Sequence, residues 1–395
     1  MDDQKILQGF SEKDRATLAG ILPENWGPPN DSPDFLNPSF IDAWLPLVKS
    51  PIDLSQRVER TLAKLDRMPE MRRYAAGISH CLFVRCKAFI APEPTAQLGE
   101  DSGIFALLVA MSALPMIERV YQSFGIPKSY SDNVASWLGG TVKLYQAAHG
   151  GIPGHDFRQT PWLNRSILGR LFRIGRIEFL IHATPDWLPA LFKSKRSGKV
   201  VALCRETWRI TKEGWRLEDK DISGIRTSVD YYPDKICGTP IDPQTGRACH
   251  GKTIELPTSD YEDWLTANEI VPSMHIPGGE PLAPEAVIAS MKEARAFFAK
   301  YLKLKIRACC CESWLLNPAW QQELPRSNIA AFQRIGHLCP LISDPKSGLF
   351  FVYGREDGDF MDYPVRTSLH RAFRHQYEIG EPFRMGAMVV DLDSL

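Results

Sequence analysis

The chain has 395 residues, and its 47 Lys and Arg side chains balance 47 Asp and Glu side chains, so the formal net charge is zero. Affinity for phosphate backbones depends on an excess of Lys and Arg, so this balance argues against a nucleic-acid-binding protein. It also argues against a basic membrane anchor. The length predicts two or three domains, and the 44% hydrophobic fraction is typical of a globular protein.

The chain shows no targeting segment. Residues 1–5, MDDQK, are acidic and polar, unlike the start of a signal peptide. The longest apolar run, residues 104–117, is interrupted and shorter than the roughly 20 residues that cross a bilayer. Nine scattered cysteines do not form the pattern of a secreted disulfide framework. We therefore predict a cytoplasmic protein with reduced thiols and with neither a membrane nor a nucleic acid as partner.

Helical periodicity dominates the first part of the chain. Leu54, Val58, Leu62 and Leu65 recur at intervals of four, four and three, which predicts one face of a helix. Further helical segments are predicted at residues 71–90, 103–124, 131–148 and 162–172. The sequence therefore predicts a helical N-terminal domain over residues 1–168.

The pattern changes near Gly175. Residues 176–182 alternate and are rich in β-forming residues, which predicts a strand. Short strands are predicted at 199–203 and 208–210, and the turn residues of 223–253 favour hairpins or a long excursion.

Strands and helices alternate after residue 253. A strand at 270–276 leads through a Gly/Pro loop into an amphipathic helix at 284–302, which Pro284 begins. The elements predicted beyond it are a strand at 306–311, short helices at 317–323 and 328–335, and a strand at 349–353. The fold class predicted is α+β (α/β), with the second domain over residues 169–395.

Several well-defined motifs are absent. There is no phosphate loop ending in Gly-Lys-Ser/Thr, no dinucleotide fingerprint, no His-Glu-x-x-His and no Gly-x-Ser-x-Gly. The best metal candidates are Cys237, Cys249 and His250, but their spacing matches no zinc pattern, and ordinary hairpin side chains are the preferred interpretation. The consecutive cysteines 309–311 alternate faces of a strand, which favours core packing. A nucleophilic Cys311 is kept as a minor alternative.

Three polar residues lie at the ends of the predicted strands. His275 stands at a strand-to-loop junction, and Glu312 and Ser313 come after the cysteine strand. An imidazole or carboxylate at such a position could act as a general base. The alternatives are a structural hydrogen bond for His275 and a helix cap for Glu312.

Four segments in order resemble a bacterial family of acyltransferase-domain proteins with a helical N-terminal domain and a GNAT-like C-terminal domain. They are LFRIGRIEF (171–179), MHIPGGEPL (274–282), CESWLLNP (311–318), and LPRSNI (324–329) with Phe332 and Gln333. The resemblance spans residues 170–335, with weaker similarity over 100–170 and the C-terminal tail. It implies a mixed sheet that binds an acyl thioester between two parting strands.

The resemblance also implies roles for particular residues. Met274, His275, Ile276, Gly278 and Gly279 would contact acyl-CoA or an acyl-phosphopantetheine, with the pyrophosphate at the N-terminus of helix 284–302. Catalysis would fall to His275, Glu312 and Ser313, with His275 or Glu312 taking the proton of the attacking group. No metal is required. The expected partners are a small-molecule amine or hydroxyl acceptor and an acyl carrier protein.

The chain departs from the usual phosphate loop of this superfamily. Pro277, Pro281 and Pro284 lack N–H donors, and Glu280 would repel a phosphate. These departures favour an acyl chain delivered on a carrier protein, or a non-catalytic protein that binds a ligand or partner. The helical domain is predicted to shape the acceptor pocket.

Overall fold

The computed structural model describes residues 6–7, 9–25 and 32–395. The chain divides into two compact units. One unit comprises Met1–Ile174 and Pro277–Glu280, and the other comprises Gly175–Ile276 and Pro281–Leu395. The N-terminal residues 1–5 lie outside the described part. The domains predicted over 1–168 and 169–395 stay a prediction, because compactness alone does not define an independently folding domain.

The first unit is helical, as its periodicity predicts. Its nine helices within the described residues are α1 (Glu12–Asn25), α2 (Pro38–Val48), α3 (Ser55–Leu65), α4 (Pro69–Ser79), α5 (Thr95–Leu98), α6 (Ser102–Met111), α7 (Leu114–Ser123), α8 (Lys128–Ala148) and α9 (Leu163–Ile167). A π-helical turn, His80–Val84, extends α4. Every residue of α6 is buried, so this helix forms the centre of the unit.

The apolar segment around α6 meets one criterion for a membrane span. Residues Thr95–Ser123 are long and apolar enough by length and composition, although the interrupted apolar run 104–117 is shorter. In the structure, 67% of the most apolar window is buried inside the protein. Mostly buried helices of a folded core pass the same test, so this segment is weak evidence for a membrane location.

The helix predicted at 162–172 is wrong in its second half. Helix α9 ends at Ile167, and strand β1 (Leu171–Ile174) begins four residues later. Gly169 between them has a φ of +65°, a left-handed conformation that suits glycine and ends a helix. The apolar residues of 171–174, all buried, therefore belong to a strand.

The central sheet of the second unit contains strands from distant parts of the chain. Five of them are β2 (Ile177–Leu180), β12 (Ser273–His275), β13 (Ala308–Ser313), β14 (His337–Pro340) and β15 (Gly386–Asp391), in the order β2-β12-β13-β15-β14. Strands β12 and β13 are parallel, and the other pairs are antiparallel. The prediction that segments 270–276 and 306–311 are neighbours in one sheet is confirmed.

The predicted amphipathic helix is α10 (Pro284–Phe297), followed by a π-helical turn, Phe298–Leu302. Its buried residues include Val287, Met291 and Ala294, at the spacing that the sequence predicted. Met291 Sδ lies 3.5 Å from Cys309 Sγ, so the helix packs on the face of β13 that carries Cys309.

An all-β excursion occupies residues 190–263. Its strands are β3 (Ala190–Ser194), β4 (Val200–Leu203), β5 (Arg209–Ile210), β6 (Arg216–Leu217), β7 (Ile225–Arg226), β8 (Val229–Tyr231), β9 (Lys235–Gly238), β10 (Ile254–Pro257) and β11 (Tyr261–Asp263). They form three small sheets. Trp208 and Trp264 are buried with Cys310 in one cluster, which joins the excursion to the central sheet.

The strand predicted at 349–353 is wrong: this segment is the short helix α13 (Leu349–Tyr353). Gly348 and Gly354 bound it with φ values of +91° and +75°. Leu349 and Tyr353 pack in a cluster with Phe360 and Phe373 instead of pairing in a sheet. The remaining helices are α11 (Ala319–Glu323), α12 (Asn328–Gln333) and α14 (Ser368–Glu378).

Candidate functional site

Two predicted site residues lie at the carboxyl ends of neighbouring parallel strands. Between the described residues of β12 and β13, pairing is limited to Ser273 opposite Cys310. His275 and Glu312 each follow two residues later. Because side chains alternate along a strand, all four residues lie on one face of the sheet. The sheet therefore brings His275 and Glu312 to the same edge, as the resemblance implied.

Strand β2 adds a carboxylate to this face. Glu178 stands directly opposite His275 in the antiparallel β2–β12 pair, and Leu180 stands opposite Ser273. Opposite residues in such a pair have neighbouring side chains. Glu178 is buried, with 3% of its surface exposed. A buried carboxylate therefore lies beside the predicted catalytic histidine.

His182, two residues beyond β2, makes the most specific polar contacts of the site. Its Nδ1 lies 2.6 Å from the Ala183 carbonyl oxygen, and its Nε2 hydrogen-bonds Ser273 Oγ. A carbonyl only accepts, so Nδ1 carries the ring proton and Nε2 accepts from the serine hydroxyl. Ser273 Oγ in turn lies 3.5 Å from Cys310 Sγ. The three side chains form a chain of donors that ends on His182 Nε2.

Glu312 interacts electrostatically with this histidine. Partial desolvation raises the pKa of the Glu312 carboxyl, the nearby charge of His182 opposes that rise, and Asp186 adds to it. The side chain nevertheless remains accessible to solvent. The arrangement therefore places an accessible carboxylate within electrostatic range of a half-buried imidazole, and the two groups together can accept and stabilise a proton.

Ser313 has a different place. It follows Glu312 in β13, so its side chain points to the opposite face. Its Oγ accepts a hydrogen bond from the Leu315 N–H at 3.1 Å and caps the helical turn Trp314–Leu316. The helix-capping role considered for Glu312 thus belongs to Ser313. The predicted catalytic role of Ser313 stays a prediction that the geometry does not favour.

The predicted cofactor-binding residues differ in burial and belong to different units. Met274 is buried on the face opposite His275, with its Sδ 3.5 Å from Cys309 Sγ, so only its backbone is available to a ligand. Ile276 follows β12 and is half-buried. Gly278 and Gly279 belong to the compact helical unit. Their role in binding stays a prediction.

The consecutive cysteines 309–311 are poorly suited to act as a nucleophile. Cys309, Cys310 and Cys311 are all buried, and burial raises the pKa of each thiol, to about 12 for Cys310. A catalytic cysteine needs a lowered pKa and access to its substrate. The alternative of a nucleophilic Cys311 is therefore disfavoured.

The structure offers no support for a metal at Cys237, Cys249 and His250. Within residues 6–7, 9–25 and 32–395, no group of three or more His, Cys, Asp or Glu side chains could hold an ion. Cys237 lies in β9, where it pairs with Asp230 and Glu255.

Sequence reasoning missed His182, Ser273 and Glu178. The signal was present in the alternating segment 176–182, where Glu178 and His182 stand four residues apart and so face the same side of a strand. Ser273 gave no signal, because its contact with His182 joins residues 91 positions apart.

The structure is similar to solved acyltransferase structures over nearly the whole chain. One is an acyltransferase in complex with decanoyl-CoA and teicoplanin, at a TM-score of 0.65 and 20% identity. A second is an acyltransferase in complex with CoA and 10C-teicoplanin, at 0.63 and 19%. A third is an acyltransferase mutant in complex with octanoyl-CoA, at 0.62 and 19%. Each match covers 99% of this chain and 100% of the other, and at this identity it shows a shared fold.

No curated protein matches the sequence. The sequence model of the GNAT-like C-terminal domain matches residues 171–388, which is more than half of the chain. This match covers β1, the β-rich excursion and the central sheet as far as Met388 in β15, and it confirms the resemblance carried by the four segments. The chain therefore belongs to the family defined by the GNAT-like C-terminal domain.

Proposed function

We propose that this protein is an acyltransferase that moves an acyl group from an acyl-CoA thioester to an amine or hydroxyl acceptor. The observation that carries the proposal is the hydrogen bond between His182 and Ser273, on the face of the sheet that also carries His275 and Glu312. Solved proteins of the same fold include acyltransferases in complex with decanoyl-CoA and octanoyl-CoA.

The chemistry follows from the position of the imidazole. A neutral amine attacks the thioester carbonyl carbon, so that a C–N bond forms and the C–S bond breaks. His182 Nε2 takes the proton that the amine releases, and the Nδ1–H bond to the Ala183 carbonyl holds the ring in the correct tautomer. The imidazolium then returns the proton to the leaving thiolate, which completes the balance.

Ser273 and Glu312 support this proton transfer. The Ser273 hydroxyl occupies Nε2 before the acceptor arrives, and it can relay the proton or move aside. The Glu312 carboxylate lies close enough to interact with the charge of His182, so it stabilises the imidazolium. His275 beside Glu178 is a second candidate base on the same face.

The fold favours a pantetheine arm along β12. The parallel strands β12 and β13 pair at Ser273 and Cys310, and we expect an extended ligand to run along their carboxyl ends, beside His275 and Glu312. The cap residue of α10, Ala283, has no side-chain bond to the first turn, which leaves helix N–H groups for an anion. The pantetheine would belong to CoA or to an acyl carrier protein.

The base assignment can be tested by measuring the single-turnover rate of acyl transfer from octanoyl-CoA in the variants His182→Ala and Glu312→Gln. Because a working general base contributes about 10²–10⁴ in rate, His182→Ala should lose at least about 100-fold, and Glu312→Gln should lose less. CoA release would be followed with a panel of amines, alcohols and teicoplanin as acceptors.

Two variants serve as comparisons. Ser313→Ala removes a cap on the opposite face and should leave the single-turnover rate nearly unchanged, whereas His275→Ala measures the alternative base. If the single-turnover rate fell 100-fold in His275→Ala and did not change in His182→Ala, the base would be His275 and the assignment would be contradicted.

A second function has support from the loop that precedes α10. Pro277, Pro281 and Pro284 remove N–H donors that a phosphate would use, as expected for a protein that binds a ligand without catalysis. Tight binding of octanoyl-CoA with no CoA release against any acceptor, and no effect of His182→Ala, would favour this function.

We also propose a bacterial cytoplasmic location, with no membrane or nucleic acid as partner. All nine cysteines are free in the structure, which supports a reducing compartment.

A further inference from the structure

Two arginines lie along the segment that follows the proposed base, His182. Arg216 Nη1 donates to the Trp187 carbonyl oxygen at 3.4 Å, and Arg205 Nε donates to the Leu188 carbonyl oxygen at 2.6 Å. These two carbonyls stand five and six residues after the base in the sequence, and all of these residues belong to one compact unit. The backbone beyond the base therefore holds two guanidinium groups side by side.

Arg216, in β6, is buried although its donors are only partly used. Its side chain is 9% exposed, and the guanidinium carbon lies 4.1 Å from the centre of the Trp208 ring. Its Nε is buried and has no hydrogen-bond partner among the described residues. Its Nη2 lies 3.7 Å from Asp219 Oδ1, which is longer than a hydrogen bond. Nε and Nη2 together form the fork through which a guanidinium binds an oxyanion with two parallel bonds.

Asp219 does not satisfy this fork. Half of its side chain is exposed, and an ion pair with so exposed a partner contributes little. Desolvation lowers the pKa of Arg216, the carboxylates of Asp219 and Asp186 oppose that fall, and Arg205 adds to it. A buried donor without a hydrogen-bond acceptor is costly. A ligand carboxylate on Nε and Nη2 would remove that cost.

Packing and charge also connect Arg216 to the candidate site. Trp208, on which Arg216 stacks, belongs to the buried cluster that contains Cys310. Asp186 is exposed and acts electrostatically on Arg216 as well as on Glu312. The guanidinium therefore lies near the face of the sheet that carries Glu312.

We propose that Arg216 binds a carboxylate of the acyl acceptor, so that the acceptor is an amine or alcohol that also carries a carboxylate group. The inference rests on the proposed function, because it names the class of acceptor for the same transfer. The attacking group would lie beside His182, near the negative charge of Glu312. The carboxylate of the same molecule would lie on the Nε and Nη2 fork of Arg216, with the exposed Arg205 as a second positive charge. Contacts at both ends would orient the acceptor.

The test compares acyl acceptors that differ only in the carboxylate. β-Alanine, γ-aminobutyrate and ε-aminocaproate are each measured beside the corresponding carboxamide, and CoA release from octanoyl-CoA gives kcat/KM. The wild type should prefer the carboxylate of at least one pair by at least about 10-fold, as expected for hydrogen bonds to a charged group. Arg216→Gln should reduce this preference to about twofold or less, mainly through KM for the carboxylate.

Circular dichroism checks the fold of Arg216→Gln, because Arg216 is buried. Asp219→Asn tests the proposal without a core substitution, and it should raise the preference about twofold, since an exposed competing charge is removed. Calorimetry with octanoyl-CoA should give the same affinity for Arg216→Gln and the wild type, whereas a phosphate of CoA on Arg216 would weaken it. The matched control is Arg226→Gln, at an exposed arginine of the same small sheet that pairs with Glu206 at 2.8 Å, and it should leave the preference unchanged.

Three results would overturn this inference but not the proposed function. They are turnover without a preference for the carboxylate, a preference that persists in folded Arg216→Gln, and refusal of all these amines while another acceptor is acylated. Loss of octanoyl-CoA affinity in Arg216→Gln would also overturn it, because the anion on Arg216 would then belong to CoA. Absence of CoA release with every acceptor would overturn the proposed function itself.

Discussion

His182, the base of the proposed acyl transfer, is held in place by groups of different kinds. A main-chain carbonyl fixes the proton on Nδ1, and a serine hydroxyl points its hydrogen at Nε2. No buried carboxylate is needed to hold the tautomer, since the accessible Glu312 contributes only through its charge. Ser273 and Cys310, which link to His182 Nε2, are buried as neutral groups, and Glu178 is the buried carboxylate of the same face.

Glu93 in the helical unit leads to a prediction about pH. Desolvation raises its pKa to about 7, and Asp156 adds to the rise, while Tyr145 lies at 3.5 Å and opposes it. The folded state holds a proton that the unfolded state releases near pH 4.5. Stability from this group is therefore full below pH 4.5 and is lost as the pH rises through about 7.

Glu93→Gln should consequently stabilise the protein at pH 8, by about 1–3 kcal/mol, and much less at pH 5. Urea unfolding at the two pH values measures the difference. Glu100→Gln, at a carboxylate with 66% of its side chain exposed, is the control and should show no such dependence. If Glu93→Gln destabilised the protein equally at both pH values, the hydrogen bond from Tyr145, and not the charge of Glu93, would determine its effect on the free energy of unfolding.

At the scale of the elements, the packing of α8 on the end of α2 depends on one glycine. A Cβ on Gly139 would lie 2.5 Å from the Val48 carbonyl oxygen and 2.6 Å from that of Lys49. These are backbone atoms at the end of α2, where Lys49 adopts a left-handed conformation. Neither oxygen can move without shifting the helix.

Gly139→Ala should therefore destabilise the protein by about 1–3 kcal/mol, as overpacking does. Helix propensity alone predicts the opposite sign, a gain of about 1 kcal/mol. Thermal unfolding distinguishes the two, with Lys143→Ala, an exposed position in the same helix, as the comparison. A higher melting temperature for Gly139→Ala would show that α2 and α8 can separate at little cost.

The elements also show where sequence patterns suffice and where they do not. The spacing of Val287, Met291 and Ala294 predicted α10, because one face of that helix is buried. The segment 349–353 has strand-like composition, yet glycines at both ends and an aromatic cluster make it helical. Strand β15 was not predicted, since its first five residues are all buried and show no alternation.

Across the whole molecule, long-range contacts account for most of what the sequence could not show. The neighbouring positions of His275 and Glu312 followed from the resemblance and from the parallel strands. The contact of His182 with Ser273 could not, because the intervening 190–263 excursion has strands of two to five residues that give little periodicity. The four short segments identified the family, whereas the proposed base, His182, could be identified only from its contact with Ser273 in the folded sheet.

The cysteines provide a prediction for the molecule as a whole. Six of the nine are buried, and Cys86, Cys237 and Cys249 are partly exposed. At most three thiols should therefore react quickly with a disulfide reagent such as DTNB in the native protein, and all nine should react in urea. Counting released chromophore gives the number directly. Rapid reaction of more than three native thiols would contradict the buried environment of the cysteine strand.

The bond from His182 Nδ1 to the Ala183 carbonyl has a consequence for how the site can change during evolution. The orienting acceptor belongs to the peptide backbone, which every amino acid supplies, and the Ala183 side chain is exposed. Substitutions at position 183 should therefore be tolerated, because each keeps the backbone carbonyl that holds the His182 tautomer. A mutational scan would therefore detect His182 and Ser273 as sensitive positions. It would not detect the Ala183 carbonyl, because no substitution removes it.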